Sequence, residues 1–594
     1  MQLLSRQLIS AVLPVLLLVG CGGGSEDTDP AEPISLPGAR GLVPALAVST
    51  YNFEDDHFSG SAACGDCHND NATGDARTML DNDGRDLSLE RAWRSSMMAN
   101  AARDPYWKAV VASELALYPQ HAAEINDTCT RCHAPMANEV GRRTGQPIQV
   151  FDTGSEEQGN LVKGIMSMTD ADTPFNHAMD GVSCTVCHQI ADDGNLGTEA
   201  GMTGGFLIED YTGGDVAERP AYGQYAEDID VGYMKNLAKF SPVFSAHIST
   251  SETCATCHNL KSEPFDTEGV PVPNAGHFPE QMVYSEWEAS AYATGKSLET
   301  TCQGCHMPVV ESAVPIASVG AGGVVRENFA EHTFLGANTV MQSMLAEWNE
   351  ELGIPDDVNF EESILRNRQF LSGAAELTIQ NSNINNGILN LDVKVVNNTG
   401  HKLPSGYHSR RVVMHVLVSD KDGKTIYENG RINNDGSIAG VIEDVNSHSY
   451  ERHYDVITDA NQVQVYQSIM GNSDNEQTHS LLNGTHYLKD NRLTPAGFNK
   501  KQVDDDIAVK GFAATQDSNF NFGEDVVSYK IPVEAGGRPY NILVELLYQP
   551  LSYGHLQALF ASSDEIDAVD EFRTLYDSLE FTYETITGVV GQAQ

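Results

Sequence analysis

The sequence predicts two halves of different fold class: a mostly helical and looped segment at 51–353 and an all-β antiparallel sandwich at 377–594. Three observations predict this division. Helix-forming stretches with few strand patterns fill the first half. From Leu377 onwards, short apolar and β-branched runs are separated by Gly, Asn and Asp turns. Ten of the eleven cysteines lie between residues 64 and 305, and the second half has none.

Residues 1–21 are typical of a signal peptide. Arg6 supplies a positive charge, and the apolar run from Leu8 to Val19 is too short to span a bilayer comfortably. The run ends in Leu-Val-Gly-Cys21, which looks like a bacterial lipobox, so we expect Cys21 to be lipidated after cleavage. The alternative is an ordinary secretory signal with a chance cysteine. In this resemblance Gly22 suggests sorting to the outer membrane, facing either the periplasm or the surface.

Residues 22–50 are rich in Gly, Pro and acidic residues, which predicts a flexible tether. No second long apolar stretch follows in the sequence, so we expect a protein anchored to a membrane by lipid rather than one that spans it.

Helices are predicted at 88–117, with a break at Asp104-Pro105, at 280–295, ending at Gly295, and at 338–353. Residues 354–376 are predicted to be a connector. In the second half, stretches such as 387–396 and 540–549 have strand character, and the Lys-Asp-Gly-Lys at 421–424 predicts a hairpin turn.

The pentapeptide Cys-x-x-Cys-His occurs five times and dominates the chemistry of the first half. The pentads are Cys64, Cys67 and His68; Cys129, Cys132 and His133; Cys184, Cys187 and His188; Cys254, Cys257 and His258; and Cys302, Cys305 and His306. This spacing is the attachment signature of c-type haem, in which two thiols add to the porphyrin vinyl groups and the histidine is the proximal iron ligand. Structural disulfides or zinc sites would not require a histidine after every second cysteine. The sequence therefore predicts five covalent haems.

Further histidines are candidates for the distal iron positions. His57, His177 and His247 each lie seven residues before a pentad, and His121 lies eight before another. Imidazole is a preferred haem ligand, so with His332 these predict bis-histidine irons. His277 and His401 are weaker candidates. Met136, just after the second pentad, is another, because a thioether can also ligate haem iron.

The opening FSGSAACGDCH, the upstream histidine spacing, QMVYSEW and EHTFLGAN make residues 51–350 resemble the cytochrome c-552/4 family of multihaem cytochromes. The resemblance implies a multihaem electron carrier, and it implies that His332 in EHTFLGAN is a distal ligand. The segment 397–411 resembles a Gly-His-x-x-Pro-(Ser/Thr)-Gly stretch of multihaem cytochromes with a C-terminal β-domain, which brings His401 into consideration. Five haems, the lipid anchor and the β-domain depart from the family, so its nitrogen-cycle role is not carried over.

The formal net charge is −47, from 83 acidic and 36 basic residues. A nucleic-acid partner is excluded by this balance, because phosphate binding needs a basic surface. The charge favours a basic redox partner protein, or alternatively a surface that is acidic only for solubility.

Electron transfer through the haems, in respiration or to the outside of the cell, is the predicted function, without an open catalytic iron. Two alternatives remain. One is an oxidoreductase acting on a small nitrogen or sulfur oxyanion at a five-coordinate haem. The other is a structural subunit of a cytochrome assembly.

The lipobox makes a direct prediction. Replacing Cys21 by Ser removes the thiol that would carry lipid, so the variant should leave the membrane fraction and lose incorporation of labelled fatty acid. Fractionation with palmitate labelling measures this. Equal membrane retention of the variant would contradict lipid anchoring.

Overall fold

In a computed structural model of the chain, the structure describes residues 51–70, 78–151, 174–227, 229, 231–318 and 325–594. The predicted signal peptide, Cys21 and the tether lie outside the described residues. No helix among the described residues has the length and apolar character needed to cross a membrane.

The first half is built from short helices joined by turns and loops, as predicted. Its α-helices are α1 Ser61–Gly65, α2 Leu89–Arg94, α3 Pro105–Leu117, α4 Ala122–His133, α5 Pro135–Thr144, α6 Pro174–Met179, α7 Cys184–Cys187, α8 Val231–Tyr233, α9 Ser251–His258, α10 Val283–Glu288, α11 Cys302–His306 and α12 Thr339–Glu347.

The helical prediction for 88–117 is confirmed in part. Helices α2 and α3 lie within this range, but residues 95–104 between them are not helical, so the break before Pro105 is longer than predicted. The Asp104 side chain accepts hydrogen bonds from the backbone N–H groups of Tyr106 and Trp107, and Pro105 occupies the first turn of α3. An acidic N-cap followed by proline favours the start of a helix. The carboxylate accepts hydrogen bonds from otherwise unpaired N–H groups of the first turn, and proline has no N–H group to leave unpaired.

The prediction for 280–295 is wrong at both ends. Its first residues form strand β4 Phe278–Met282, which pairs antiparallel with β3 Asn259–Ser262, and the helix α10 ends at Glu288. Pairing with a distant segment overrides local helix propensity here. The other short strands of this half are β1 Pro220–Gly223, β2 Ser241–Phe244, β5 Val314–Pro315 and β6 Val325–Arg326.

The predicted connector contains a helix, α13 Phe360–Ser372, begun by the Asn359 side chain, which accepts a hydrogen bond from the backbone of Glu362. Strands follow at once. They are β7 Ala375–Asn385, β8 Ile388–Asn397, β9 Arg411–Ser419, β10 Thr425–Asn429, β11 Val456–Ile457, β12 Val465–Gly471, β13 Gln477–Thr478, β14 His486–Asp490, β15 Glu524–Pro532, β16 Tyr540–Gln549 and β17 Glu584–Ala593.

These strands form two sheets. One has the order β13-β12-β9-β16-β17, with β10 on β9 and β14 on β12, and the other has the order β11-β15-β8-β7. The pairings are antiparallel except for β11 with β15. The turn at 421–424 joins β9 to its antiparallel neighbour β10, which confirms the predicted hairpin.

The inner faces of the two sheets share one apolar core. Along β8 burial alternates, with Leu391 and Val393 fully buried, and they cluster with Met414 of β9 and Val544 of β16. Period-two burial on both sheets is the pattern of a sandwich.

Helices α14 Phe512–Thr515, α15 Tyr553–Phe560 and α16 Asp567–Asp577 lie within the second half. Leu559 of α15 and Phe572 of α16 belong to the same apolar cluster as Ala109 of α3 and Met344 of α12. The predicted halves therefore share a core.

The sandwich core makes a stability prediction. Replacing the fully buried Leu391 by Ala should lower the free energy of unfolding by about 2–5 kcal/mol, because it removes buried apolar volume and leaves a cavity. Chemical denaturation measures the change. Leu365→Ala on α13, where the side chain is 67% exposed, is the matched control and should have little effect. Equal effects would contradict the assignment of the core.

Candidate haem-attachment and iron-ligand sites

Four of the five cysteine pairs lie wholly on short helices, in α4, α7, α9 and α11, and the first begins in α1 and continues into the turn after it. Residues three apart share a helix face, so the two thiols of each pair point to one side. All ten described cysteines are free thiols. Each pentad therefore presents two thiols in the arrangement that a porphyrin with two vinyl groups needs.

The pentad histidines are oriented by backbone carbonyls. The Nδ1 atoms of His68, His133, His188 and His306 lie 2.5, 3.2, 2.6 and 2.5 Å from carbonyl oxygens of other segments. A carbonyl only accepts, so Nδ1 carries the proton and Nε2 keeps its lone pair. This is the tautomer and orientation of a metal-ligating histidine.

Desolvation by the surrounding protein favours the neutral ring, which is the form that binds metal. It lowers the pKa of the half-buried His133 to about 4. Beside the second pentad, the Trp107 ring lies parallel to that of His133, with centroids 4.7 Å apart. Trp107 thereby fixes one face of this imidazole.

Two pairs of imidazoles have a separation and a near-parallel orientation that would suit ligands on opposite sides of one iron. The ring centroids of His188 and His332 are 6.3 Å apart with planes 11° from parallel, and those of His306 and His401 are 6.3 Å apart with planes 16° from parallel. With metal–nitrogen bonds of about 2 Å, two trans imidazoles have centroids about 6 Å apart. The described residues thus fit haem iron at both places.

The Nδ1 atoms of His332 and His401 also lie against carbonyl oxygens, those of Ala330 at 3.0 Å and Lys402 at 2.9 Å. Their Nε2 atoms therefore keep a lone pair, as in the pentad histidines. Burial lowers the pKa of each ring to about 4, which keeps both neutral. His401, the weaker prediction, is placed as well as His332.

The histidines spaced before the pentads are placed differently. Nε2 of His121 lies 2.8 Å from the carbonyl of Gly269, and Nε2 of His247 lies 2.8 Å from that of Ile190. The Nε2 atom of His177 is 2.5 Å from a carboxylate oxygen of Asp55, while its Nδ1 is buried without a hydrogen-bond partner. In these positions only Nδ1 could serve an iron, and in His247 it contacts Ser245.

Three other candidates, the regularly spaced His57 and the weaker His277 and Met136, lie apart from these pairs. His57 is partly buried and His277 is exposed. Met136 is fully buried and packs with Phe58 and Val186, as expected of an apolar filler. Distal roles for His57, His121, His177, His247, His277 and Met136 stay predictions.

Thiols of different pentads lie close enough to shift one another's pKa. The interacting pairs are Cys64 with Cys184, Cys132 with Cys257, and Cys254 with Cys302. Numbered in chain order, the first pentad is therefore adjacent to the third, the second to the fourth, and the fourth to the fifth. Cys187 also interacts electrostatically with Cys257, which brings the third pentad near the fourth.

A further cluster resembles a metal site but is a hydrogen-bonded network. His453, Asp517 and Asp525 have donor atoms close together, with Nε2 of His453 2.9 Å from Asp517. Nδ1 of His453 accepts hydrogen bonds from the side-chain amides of Gln464 and Asn491, whose own oxygens accept backbone N–H groups. Nε2 must then carry the proton and donate it to Asp517, so no imidazole lone pair is left for a metal.

The sequence motifs do not reveal the buried ionic residues around His401. Lys402, Asp490, Arg492 and Glu286 lie together there, from three separate segments. The adjacent charges in 489–492 are a visible signal in the sequence, but nothing local indicates that they are buried against Glu286.

No protein-family model matches the chain, and no curated protein matches it. A solved structure that it is similar to is a penta-heme cytochrome c552 from Thermochromatium tepidum, with 14% sequence identity and a TM-score of 0.47, over 91% of this chain and 100% of that chain. At that TM-score the likeness supports no conclusion about fold or function. The pentads and the imidazole pairs of this chain are the observations that bear on haem binding.

The first imidazole pair makes a spectroscopic prediction. In the haem-loaded protein, His332→Ala should open the position opposite His188, so one iron per chain becomes high-spin and the reduced protein takes up carbon monoxide. Low-temperature EPR and carbon monoxide titration measure this. His448→Ala, at an exposed position, is the control and should match the unchanged protein. An unaltered spectrum in His332→Ala would contradict the pairing.

Proposed function

We propose that the chain is a multihaem c-type cytochrome that transfers electrons through five covalently attached haems. The observation that carries the proposal is the recurrence of one unit: a pair of free thiols on one side of a short turn or helix, followed by a neutral histidine. In four of the five units the histidine Nε2 is freed by an Nδ1–carbonyl contact. When bound, haem iron supplies one-electron chemistry.

The contacts between pentads support a continuous path. The fourth pentad lies beside the second at Cys257 and Cys132, and beside the fifth at Cys254 and Cys302. The third lies near it, and the first lies beside the third. The attachment points therefore form one connected set with the fourth pentad as its junction, which suits electron transfer between neighbouring cofactors.

The protein residues would set the environment of each iron. Two histidines outside the pentads, His332 and His401, would close the positions opposite His188 and His306. Bis-histidine ligation favours electron transfer over substrate binding and gives lower potentials than methionine ligation.

We place the protein in the cell envelope, anchored by lipid on Cys21 and facing either the periplasm or the exterior. The lipobox-like ending of 18–21 supports the anchor, and export supports covalent haem attachment, which occurs outside the cytoplasm. The acidic chain, with net charge −47, suits a basic redox partner. Respiratory or extracellular electron transfer is the corresponding pathway class.

A second candidate function is reduction or oxidation of a small oxyanion beside the second pentad. Glu114 and Glu280 interact electrostatically with Cys129. Burial raises the pKa of Glu114 to about 7 and of Glu280 to about 8, so both can hold a proton near neutral pH. Buried proton donors beside an open iron would suit such chemistry.

Intact mass and low-temperature EPR with redox titration test these functions together. If the chain is an electron carrier, we expect five haems per chain and low-spin irons, because histidines would close the axial positions. Cys302→Ala with Cys305→Ala should lose one haem and is the calibration for the mass. Fewer than five haems in the unchanged chain would contradict the proposal. A high-spin iron that binds cyanide and turns over nitrite would favour the oxidoreductase.

A further inference from the structure

Four buried charges lie beside His401 and form what we call the ionic cluster: Glu286, Lys402, Asp490 and Arg492. Nζ of Lys402 is 2.7 Å from Asp490, and the guanidinium of Arg492 is 2.7 Å from Asp490 and 2.8 Å from Glu286. No side chain of the cluster is more than 7% exposed. Two cations meet two carboxylates, so the cluster is electrically neutral.

Burying four charges is costly unless every one is paired, so such clusters seldom exist for stability alone. Burial acts to raise the pKa of Asp490, but the charges of Arg492 and Lys402 outweigh it and hold that pKa below its ordinary value. Asp490 therefore stays ionised and keeps both cations in place. Loss of one member would leave an unpaired buried charge.

The ionic cluster holds the backbone at His401. The backbone N–H of Lys402, the next residue, donates to a carboxylate oxygen of Glu286 at 3.1 Å. The carbonyl of His401 accepts from the side chains of Asn397 at 2.9 Å and Thr399 at 2.7 Å. Both sides of the His401 peptide are thus fixed by side chains.

The residues on either side of His401 and Lys402 further restrain the loop. Leu403 and Leu493 exchange a reciprocal pair of backbone hydrogen bonds, each 2.9 Å long, which joins the loop to the segment after Asp490. On the other side Gly400 lies against the Trp287 ring, and a Cβ there would approach that ring to 3.2 Å. The loop is therefore held between α10 of the first half and the chain following β14.

We infer that the ionic cluster is a positioning device for His401, which the β-sandwich half supplies as the second axial ligand of the iron bound by His306. The inference rests on the proposed haem binding. The near-parallel imidazoles 6.3 Å apart define the ligand, and the contacts to Lys402 and Glu286 explain what holds it there. Asp490 and Arg492 act through Lys402 and Glu286 and do not touch the iron.

Because Glu286 belongs to α10 and the other three members to the second half, ligation at this iron depends on the fit between the halves. A weakened cluster would let His401 leave the iron without loss of the covalent haem. The position would then be open to external ligands. The β-sandwich would act as a component of the redox site instead of only covering it.

The test compares His401→Ala and Asp490→Asn in the full haem-loaded chain. His401→Ala should convert one iron per chain to high-spin, admit one equivalent of carbon monoxide when reduced, and regain a low-spin spectrum on addition of imidazole. Asp490→Asn should open the same iron in part, giving a carbon monoxide uptake between none and one equivalent. Asp490→Glu, which keeps the charge, should restore most of the low-spin signal.

Asp444→Asn is the matched control. Asp444 pairs with Arg411 at 2.8 Å in the same half, with both side chains at most 1% exposed, and neither belongs to the ionic cluster. The variant loses a comparable buried ion pair, so it should be destabilised without carbon monoxide uptake.

The outcomes separate the inference from the proposed function. An unchanged spectrum in His401→Ala would overturn the ligand assignment. Opening of the iron by His401→Ala but not by Asp490→Asn would overturn the positioning role, as would equal opening by Asp444→Asn. Intact mass of each variant reports haem content separately, and fewer than five haems in the unchanged chain would instead count against the proposed function.

Discussion

The interaction on which the rest of the structure depends is the contact between a histidine Nδ1 and a backbone carbonyl. It appears at His68, His133, His188 and His306, where the carbonyls come from segments well separated in sequence. Each contact decides the tautomer and leaves the lone pair of Nε2 free to bind a metal. The short helices, the turns and the loops of the first half can be understood as a means of delivering those carbonyls.

The contact between Nδ1 and a backbone carbonyl also distinguishes among the histidines outside the pentads. His332 and His401 have Nδ1 against a carbonyl and a ring nearly parallel to that of a pentad histidine. His121 and His247 have Nε2 bound to the protein instead. The fold thus pairs histidines with the pentads that spacing along the chain does not single out.

The two halves are more interdependent than their sequence textures indicate. Apolar residues of α3 and α12 pack with those of α15 and α16, and Glu286 of α10 enters an ionic cluster made otherwise by the sandwich half. A buried neutral cluster has strict geometry, since any displacement leaves a charge unpaired. That strictness suits the inferred role of the cluster in positioning His401, and it would explain why the β-sandwich is joined to the half that contains the pentads.

The sequence alone determined the pentads, the chemistry of their residues, the helical first half and the strands after residue 375, because these depend on local spacing and periodicity. Tertiary structure alone decided that 278–282 is a strand and that His401 lies across from His306. Each of these depends on a partner distant in sequence, and burial or pairing with such a partner leaves no local pattern to find. Which imidazoles lie opposite each other depends on packing. The tertiary structure therefore decides it, and the spacing of histidines along the chain does not.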